Sequence, residues 1–204
     1  MLLLVEIESP FKELVMFLCS ATISSLCTSD KPMITSFLNR EIREPGIPSY
    51  GLTSEGYDVR AKPNGWLKCN KNFSGPYNIS KPDPDAFIEF DADKNGFVTV
   101  PAHSMIMGRT ENGFNLPPDV MMMIFTKSSF ARGCISLNTT KAVPSWSGDD
   151  LVLEFTNSAS FPVCFDVRGG VASMVFALMD GQSKKYIGNF SKDQPFLSGH
   201  NTKP

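Results

Sequence analysis

Ala86-Phe87-Ile88-Glu89-Phe90-Asp91-Ala92-Asp93-Lys94-Asn95-Gly96-Phe97-Val98-Thr99-Val100 is the stretch whose reading decides the fold class. Its two ends are short, rich in aromatic and β-branched side chains, and alternate apolar with polar, as half-buried strands do. Between them stands Asn95-Gly96, the dipeptide favoured in tight hairpin turns. The stretch therefore reads as strand, turn, strand. Outward from it the same texture continues, with further strand candidates at 104–108, 120–125, 135–139, 151–156, 163–167 and 171–178. Short strands at roughly ten-residue spacing with turn residues between them predict a mainly β fold, a barrel or jelly roll. Only one or two short helices are expected, one of them over 36–42 and ended by Pro45-Gly46. Residues 61–85, rich in Pro, Gly, Asn and Lys, read as a long surface excursion.

Composition narrows the function classes. The chain has 204 residues, 42% hydrophobic and 20% charged, enough for one sizeable core. A net charge of −2 gives no basic surface of the kind that holds nucleic acid, while a small anion needs only a local cluster of cations. The five cysteines are odd in number and widely spaced with no CxxC pair, so structural disulfides are not expected and a reducing cytoplasm fits. The apolar run 14–19 is too short to span a bilayer, and Glu6, Glu8 and Glu13 stand where a secretory signal would carry positive charge. No membrane partner is expected, and the run reads as a packed helix or an extension. Asp91-Ala92-Asp93-Lys94-Asn95-Gly96 imitates the start of a calcium loop, but its twelfth position is Ala102 where a bidentate Glu is required. A catalytic zinc of the deaminase type needs H-x-E and P-C-x-x-C segments, and neither His103 nor His200 begins one. No metal-binding residues are assigned.

Two segments carry chemistry. Lys127-Ser128-Ser129-Phe130-Ala131-Arg132-Gly133 follows an apolar strand and is basic and hydroxyl-rich. Ser128 can cap the following turn and offer its hydroxyl and nearby N–H groups to an anion, with Lys127 and Arg132 adding charge on either side. An ordinary helix start with surface charges has the same composition. Some twenty residues on, Leu151-Val152-Leu153-Glu154-Phe155-Thr156-Asn157 places one carboxylate in an apolar strand. By alternation Glu154 shares a face with Val152 and Thr156, while Leu153 and Phe155 point the other way. On a solvated face such a glutamate is unremarkable. Partly withdrawn from water, a carboxyl holds its proton more tightly and is suited to shuttle protons near neutrality.

Further segments join these two in order: Met33-Ile34-Thr35, Arg40-Glu41-Ile42-Arg43-Glu44, Gly56-Tyr57-Asp58-Val59-Arg60, Leu116-Pro117-Pro118-Asp119-Val120, Pro144-Ser145-Trp146-Ser147-Gly148, Gly170-Val171 and Lys185-Tyr186-Ile187-Gly188. Together they resemble the dCTP deaminases of the trimeric dUTPase superfamily. The resemblance divides the chain into an extension over 1–32, a dCTP deaminase-like domain over 33–190 and a tail over 191–204. It implies a dUTPase-like β-barrel or jelly-roll subunit in a homotrimer, with active sites between subunits. It further implies hydrolysis of dCTP to dUTP and ammonia, with magnesium accompanying the triphosphate. By motif, Glu154 would be the general base, and Ser128 and Arg132 would orient water, glutamate and phosphates. Lys127 and Ser129 would hold phosphate oxygens. Lys185 and Tyr186 would close over the triphosphate, with Asn189 beside them where the family often has glutamine. Segment 138–144, including Thr140, resembles the floor of the base pocket. There the chain has Val143 where many relatives have an acid, and Lys141 is unexpected. Asp149-Asp150 lengthens the approach to Glu154, and the stretch between Leu178 and Lys185 is short.

The competing functions are a bifunctional deaminase and dUTP diphosphatase, and a diverged nucleotide-binding protein without turnover. A plain dUTP diphosphatase fits less well. Val143 stands near the place of the aspartate those enzymes use, and their Gly- and Arg-rich C-terminal motif is missing from the tail.

Overall fold

The computed structural model describes residues 16–184. The first half contains β1 (Met16–Phe17), α1 (Ser20–Cys27), β2 (Glu41–Glu44), β3 (Ile47–Leu52), β4 (Tyr57–Val59), β5 (Trp66–Cys69), β6 (Phe87–Phe90), β7 (Phe97–Val100), β8 (Met105–Arg109) and β9 (Phe114–Asn115). The second half contains β10 (Val120–Thr126), α2 (Ser128–Arg132), β11 (Ile135–Leu137), β12 (Lys141–Ala142), β13 (Ser147–Gly148), β14 (Val152–Asn157), β15 (Val163–Asp166) and β16 (Ala172–Leu178). The fold is mainly β with few helices, as the strand spacing predicts.

A seven-stranded sheet runs β12-β10-β16-β4-β3-β2, with β1 added beside β16. A five-stranded sheet runs β11-β14-β8-β5-β6, and β13 pairs with β9 and β15 with β7. Met122, Met174 and Phe176 from the larger sheet and Ile106, Leu153 and Phe155 from the smaller belong to one buried cluster. Leu18, Ile23 and Cys27, from the segment read as an extension, join that cluster too. Trp66 is fully buried at its centre, with its ring 6.0 Å from Phe155 and 5.9 Å from Phe165. The strand opposite must yield for so large a ring: a Cβ on Gly108 would stand 2.4 Å from it.

Two expectations are corrected. Residues 36–42 form no helix: Glu41–Glu44 pairs with Ile47–Leu52 across the Pro45-Gly46 turn, where Gly46 has φ +77°. Pairing within a sheet overrides a weak helical pattern there. Nor does Asn95-Gly96 join a hairpin. The turn forms, with Asp93 Oδ1 accepting the N–H groups of Asn95 (2.8 Å) and Phe97 (2.9 Å). But Phe87–Phe90 pairs with Trp66–Cys69, and Phe97–Val100 pairs with Val163–Asp166. The dipeptide turns a corner between sheets. The excursion over 61–85 is exposed in its second half, while Trp66–Cys69 within it is a sheet strand.

Candidate active site

Strand β14 lies between β8 and β11, with Glu154 opposite Met107 and Thr156 opposite Ser136. Leu153, Phe155 and Asn157 are buried, and Val152, Glu154 and Thr156 are half-buried on the other face. The alternation read from the sequence is the one observed. Glu154 is thus backed by core and partly shielded, without being sealed.

What covers it comes from the loop after β11. Asn138 N–H donates to the Glu154 carbonyl at 2.8 Å. The Thr139 hydroxyl donates to Glu154 Oε2 at 2.7 Å and accepts from the Glu154 N–H at 3.1 Å. Beside this pair, Asn138 Nδ2 donates to Thr156 Oγ1 at 2.7 Å. The chain then crosses to the other sheet, where the Thr140 carbonyl accepts from Ile124 N–H at 3.0 Å and Lys141–Ala142 pairs with β10. Segment 138–140 is therefore a clip between the sheets that runs past Glu154. Thr140 itself is exposed and takes part through its backbone. The residue on the carboxylate is Thr139, which sequence reasoning missed. Its only signal was a second hydroxyl in the segment resembling the pocket floor.

Helix α2 is a single turn held by one side chain. Phe130 is buried, its ring 4.8 Å from Phe165 and 6.1 Å from Phe155. The hydroxyl-rich turn and the glutamate strand are thereby set on one aromatic core, and Thr126 Oγ1, just before α2, accepts the Leu137 N–H at 2.9 Å. Ser128, Ser129 and Arg132 are exposed, without side-chain hydrogen bonds or ion pairs among the described residues. Ser128 does not cap the turn as expected. Lys127 occupies the cap position with extended backbone, and its carbonyl accepts the N–H groups of Phe130 and Ala131.

Lys127 also departs from its expected use. Its Nζ is turned inward, donating to Ser49 O at 2.8 Å and pairing with the buried carboxylate of Asp58. The fit is close, since a Cβ on Gly170 would stand 2.2 Å from the Ser49 carbonyl. Lys127 thereby fixes the start of α2. Lys185, Tyr186 and Asn189 lie outside the described residues.

Asp150, just before β14, has a definite effect. Asp150 accepts from Lys62 Nζ at 2.7 Å and Arg109 Nη1 at 2.6 Å, at the entrance to β14. Burial alone would push its carboxyl up, but the hydrogen bonds and charges of Lys62 and Arg109 outweigh it and hold the group below the ordinary range. Lys62 and Arg109 also line a cavity of about 460 Å³ with Asn64, Gly65, Leu67, Glu89 and Asp91. Val143 is half-buried on the clip's far side. Among the described residues no three His, Cys, Asp or Glu side chains converge as metal ligands, and no helix is long and apolar enough to cross a membrane.

This arrangement can accept a proton at a shielded carboxylate and hold an anion at an exposed hydroxyl and guanidinium cluster. Residues 20–179 match the model of a family described as dCTP deaminase-like. The chain is 36% identical to a dCTP deaminase of Pseudomonas fluorescens (strain SBW25) over 155 residues, covering 72% of this chain and 78% of that protein. It is 33% identical to a dCTP deaminase of Anaplasma phagocytophilum (strain HZ) over 176 residues, covering 81% and 91%. Its fold is similar to the crystal structure of 2'-deoxycytidine 5'-triphosphate deaminase from Agrobacterium tumefaciens, with TM-score 0.56 and 15% identity, over 81% of this chain and 49% of that one.

Proposed function

The chain belongs to the dCTP deaminase-like family and deaminates dCTP, and from that premise we propose how its residues carry out the reaction. The reaction is hydrolytic: dCTP and water give dUTP and ammonia. Glu154 removes a proton from water as the water oxygen bonds to C4 of cytosine, and passes that proton to N3. Glu154 then takes the proton of the new C4 hydroxyl and gives it to the amino nitrogen. The C4–N bond breaks, C4=O forms and ammonia leaves. One carboxylate serves as acceptor and donor in turn.

Ser128 and Arg132 orient the water and the phosphates, and Ser129 binds a phosphate oxygen. Lys127 contributes by anchoring their turn to Asp58. Magnesium enters with the triphosphate as part of the substrate. Thr140 belongs to the floor of the base pocket, and Lys185, Tyr186 and Asn189 close over the triphosphate. The subunit is a barrel or jelly roll in a homotrimer, working in the cytoplasm. An apolar stripe on the outer face of the seven-stranded sheet supports self-association: Met121, Met123 and the half-exposed Phe125 on β10 stand beside Val175 of β16.

The observation that carries the reading is the state of Glu154. It is partly withdrawn from water and bonded at Oε2 by a neutral hydroxyl, with no cation on either oxygen among the described residues. The test is incubation of the purified protein with dCTP and magnesium, followed by chromatographic separation of the products. dUTP with an equal amount of ammonia supports the reading. Direct appearance of dUMP and pyrophosphate points to the bifunctional enzyme, and bound but unchanged dCTP to a binding protein.

A further inference from the structure

We infer that Thr139 is a positioning residue for the reaction, which gives the two oxygens of the Glu154 carboxylate different tasks. The inference rests on the reading of Glu154 as the base. A threonine hydroxyl has one proton to give. Here a lone pair is occupied by the Glu154 N–H at 3.1 Å, and the proton faces Oε2 at 2.7 Å, the shorter contact, with the Val152 carbonyl at 3.1 Å. The same residue therefore grips the backbone and the carboxylate of Glu154 at once.

Two consequences follow from this geometry. The carboxylate is fixed in direction by a group on a separate segment, itself tied to both sheets through Asn138 and Thr140. Oε1 has no hydrogen-bond partner among the described residues, so it is the oxygen available to water and to the amino group. An acceptor already bonded at Oε2 takes an incoming proton at Oε1, and the Thr139 bond persists in both protonation states.

Thr139→Val keeps the shape and removes the hydroxyl, and Thr139→Ser restores the hydroxyl. The kcat of T139V should fall about 10- to 100-fold with KM within about 2-fold, the pattern of an interaction used in the transition state. T139S should recover to within about 3-fold of the parent. Thermal denaturation of each variant checks that it is folded, and E154Q is assayed beside them. If E154Q is inactive while T139V keeps its kcat, the inference is wrong and the reading of Glu154 stands. A T139V variant that loses KM alone, or a T139S variant as poor as T139V, would equally overturn it. If E154Q turns over dCTP normally, the reading of Glu154 fails, and the inference with it.

Discussion

Asp58 and Glu154 are both carboxylates taken out of open water, and the fold treats them in opposite ways. Asp58 is buried on β4 and meets a full countercharge, the inward-turned Lys127. Asp150 goes further and takes two cations, Lys62 and Arg109. Glu154 receives one neutral hydroxyl on one oxygen. Ionic partners lock a carboxylate in its charged form and suit it to tie segments together. A neutral donor orients a carboxylate without bringing a countercharge. Countercharge thus separates the carboxylates that tie segments together from the one proposed as the base.

The sharpest way to break this comparison is to neutralise each in turn. Glu154→Gln should lower kcat by about 1000-fold or more, the upper range for general acid–base catalysis. Its unfolding midpoint should stay within about 2 °C of the parent, because an amide keeps the acceptor on Thr139. Ammonia release and thermal denaturation measure both. A large stability loss would place Glu154 with the framework residues. Asp58→Asn should do the reverse and cost about 3–5 kcal/mol in denaturant unfolding, since it strands the Lys127 ammonium inside. Unchanged stability would show that the pair holds nothing.

Asp150 gives the comparison a pH axis. Its folded-state carboxyl is held below the ordinary range, so the unfolded chain binds the proton more tightly. The stability it contributes is therefore present above the ordinary aspartate value of about 4, and is lost as pH falls from there through the folded value. Asp150→Asn should cost on the order of 1–2 kcal/mol at neutral pH and progressively less on acidification. A constant difference across that window would contradict the assignment. Cys27 completes the series as a buried group with no ionic partner, and burial pushes its thiol up to about 11. From an ordinary value of 9.0, its thiolate fraction near pH 8 should be about 100-fold reduced. Alkylation followed by mass spectrometry should find Cys27 protected while exposed Cys134 and Cys69 react. Equal labelling would weaken the claim that burial alone keeps a group neutral here.

Much of this was legible in the chain because strand periodicity is local. The face of Glu154 follows from Leu153 and Phe155 alternating with Val152 and Thr156, and the structure keeps that face. Asn95-Gly96 correctly marked a turn, but a turn dipeptide does not say which strands its arms will join. Residues 36–42 carry a weak helical pattern that the pairing of 41–44 with 47–52 overrides. Thr139 was invisible for a related reason. It lies in the crossover between sheets, where no period chooses between it and Thr140. Lys127 read as a surface cation because its partners, Ser49 and Asp58, lie in distant strands.

The most direct test of the central claim is to run the reaction in ¹⁸O-labelled water and follow the label in the products. One labelled oxygen is expected in dUTP, at C4 of the base, with ammonia released in equal amount and no label in the phosphates. E154Q should incorporate none over the same time. Label in the phosphate of dUMP or pyrophosphate without label in the base, or incorporation by E154Q at the parent's rate, would contradict it.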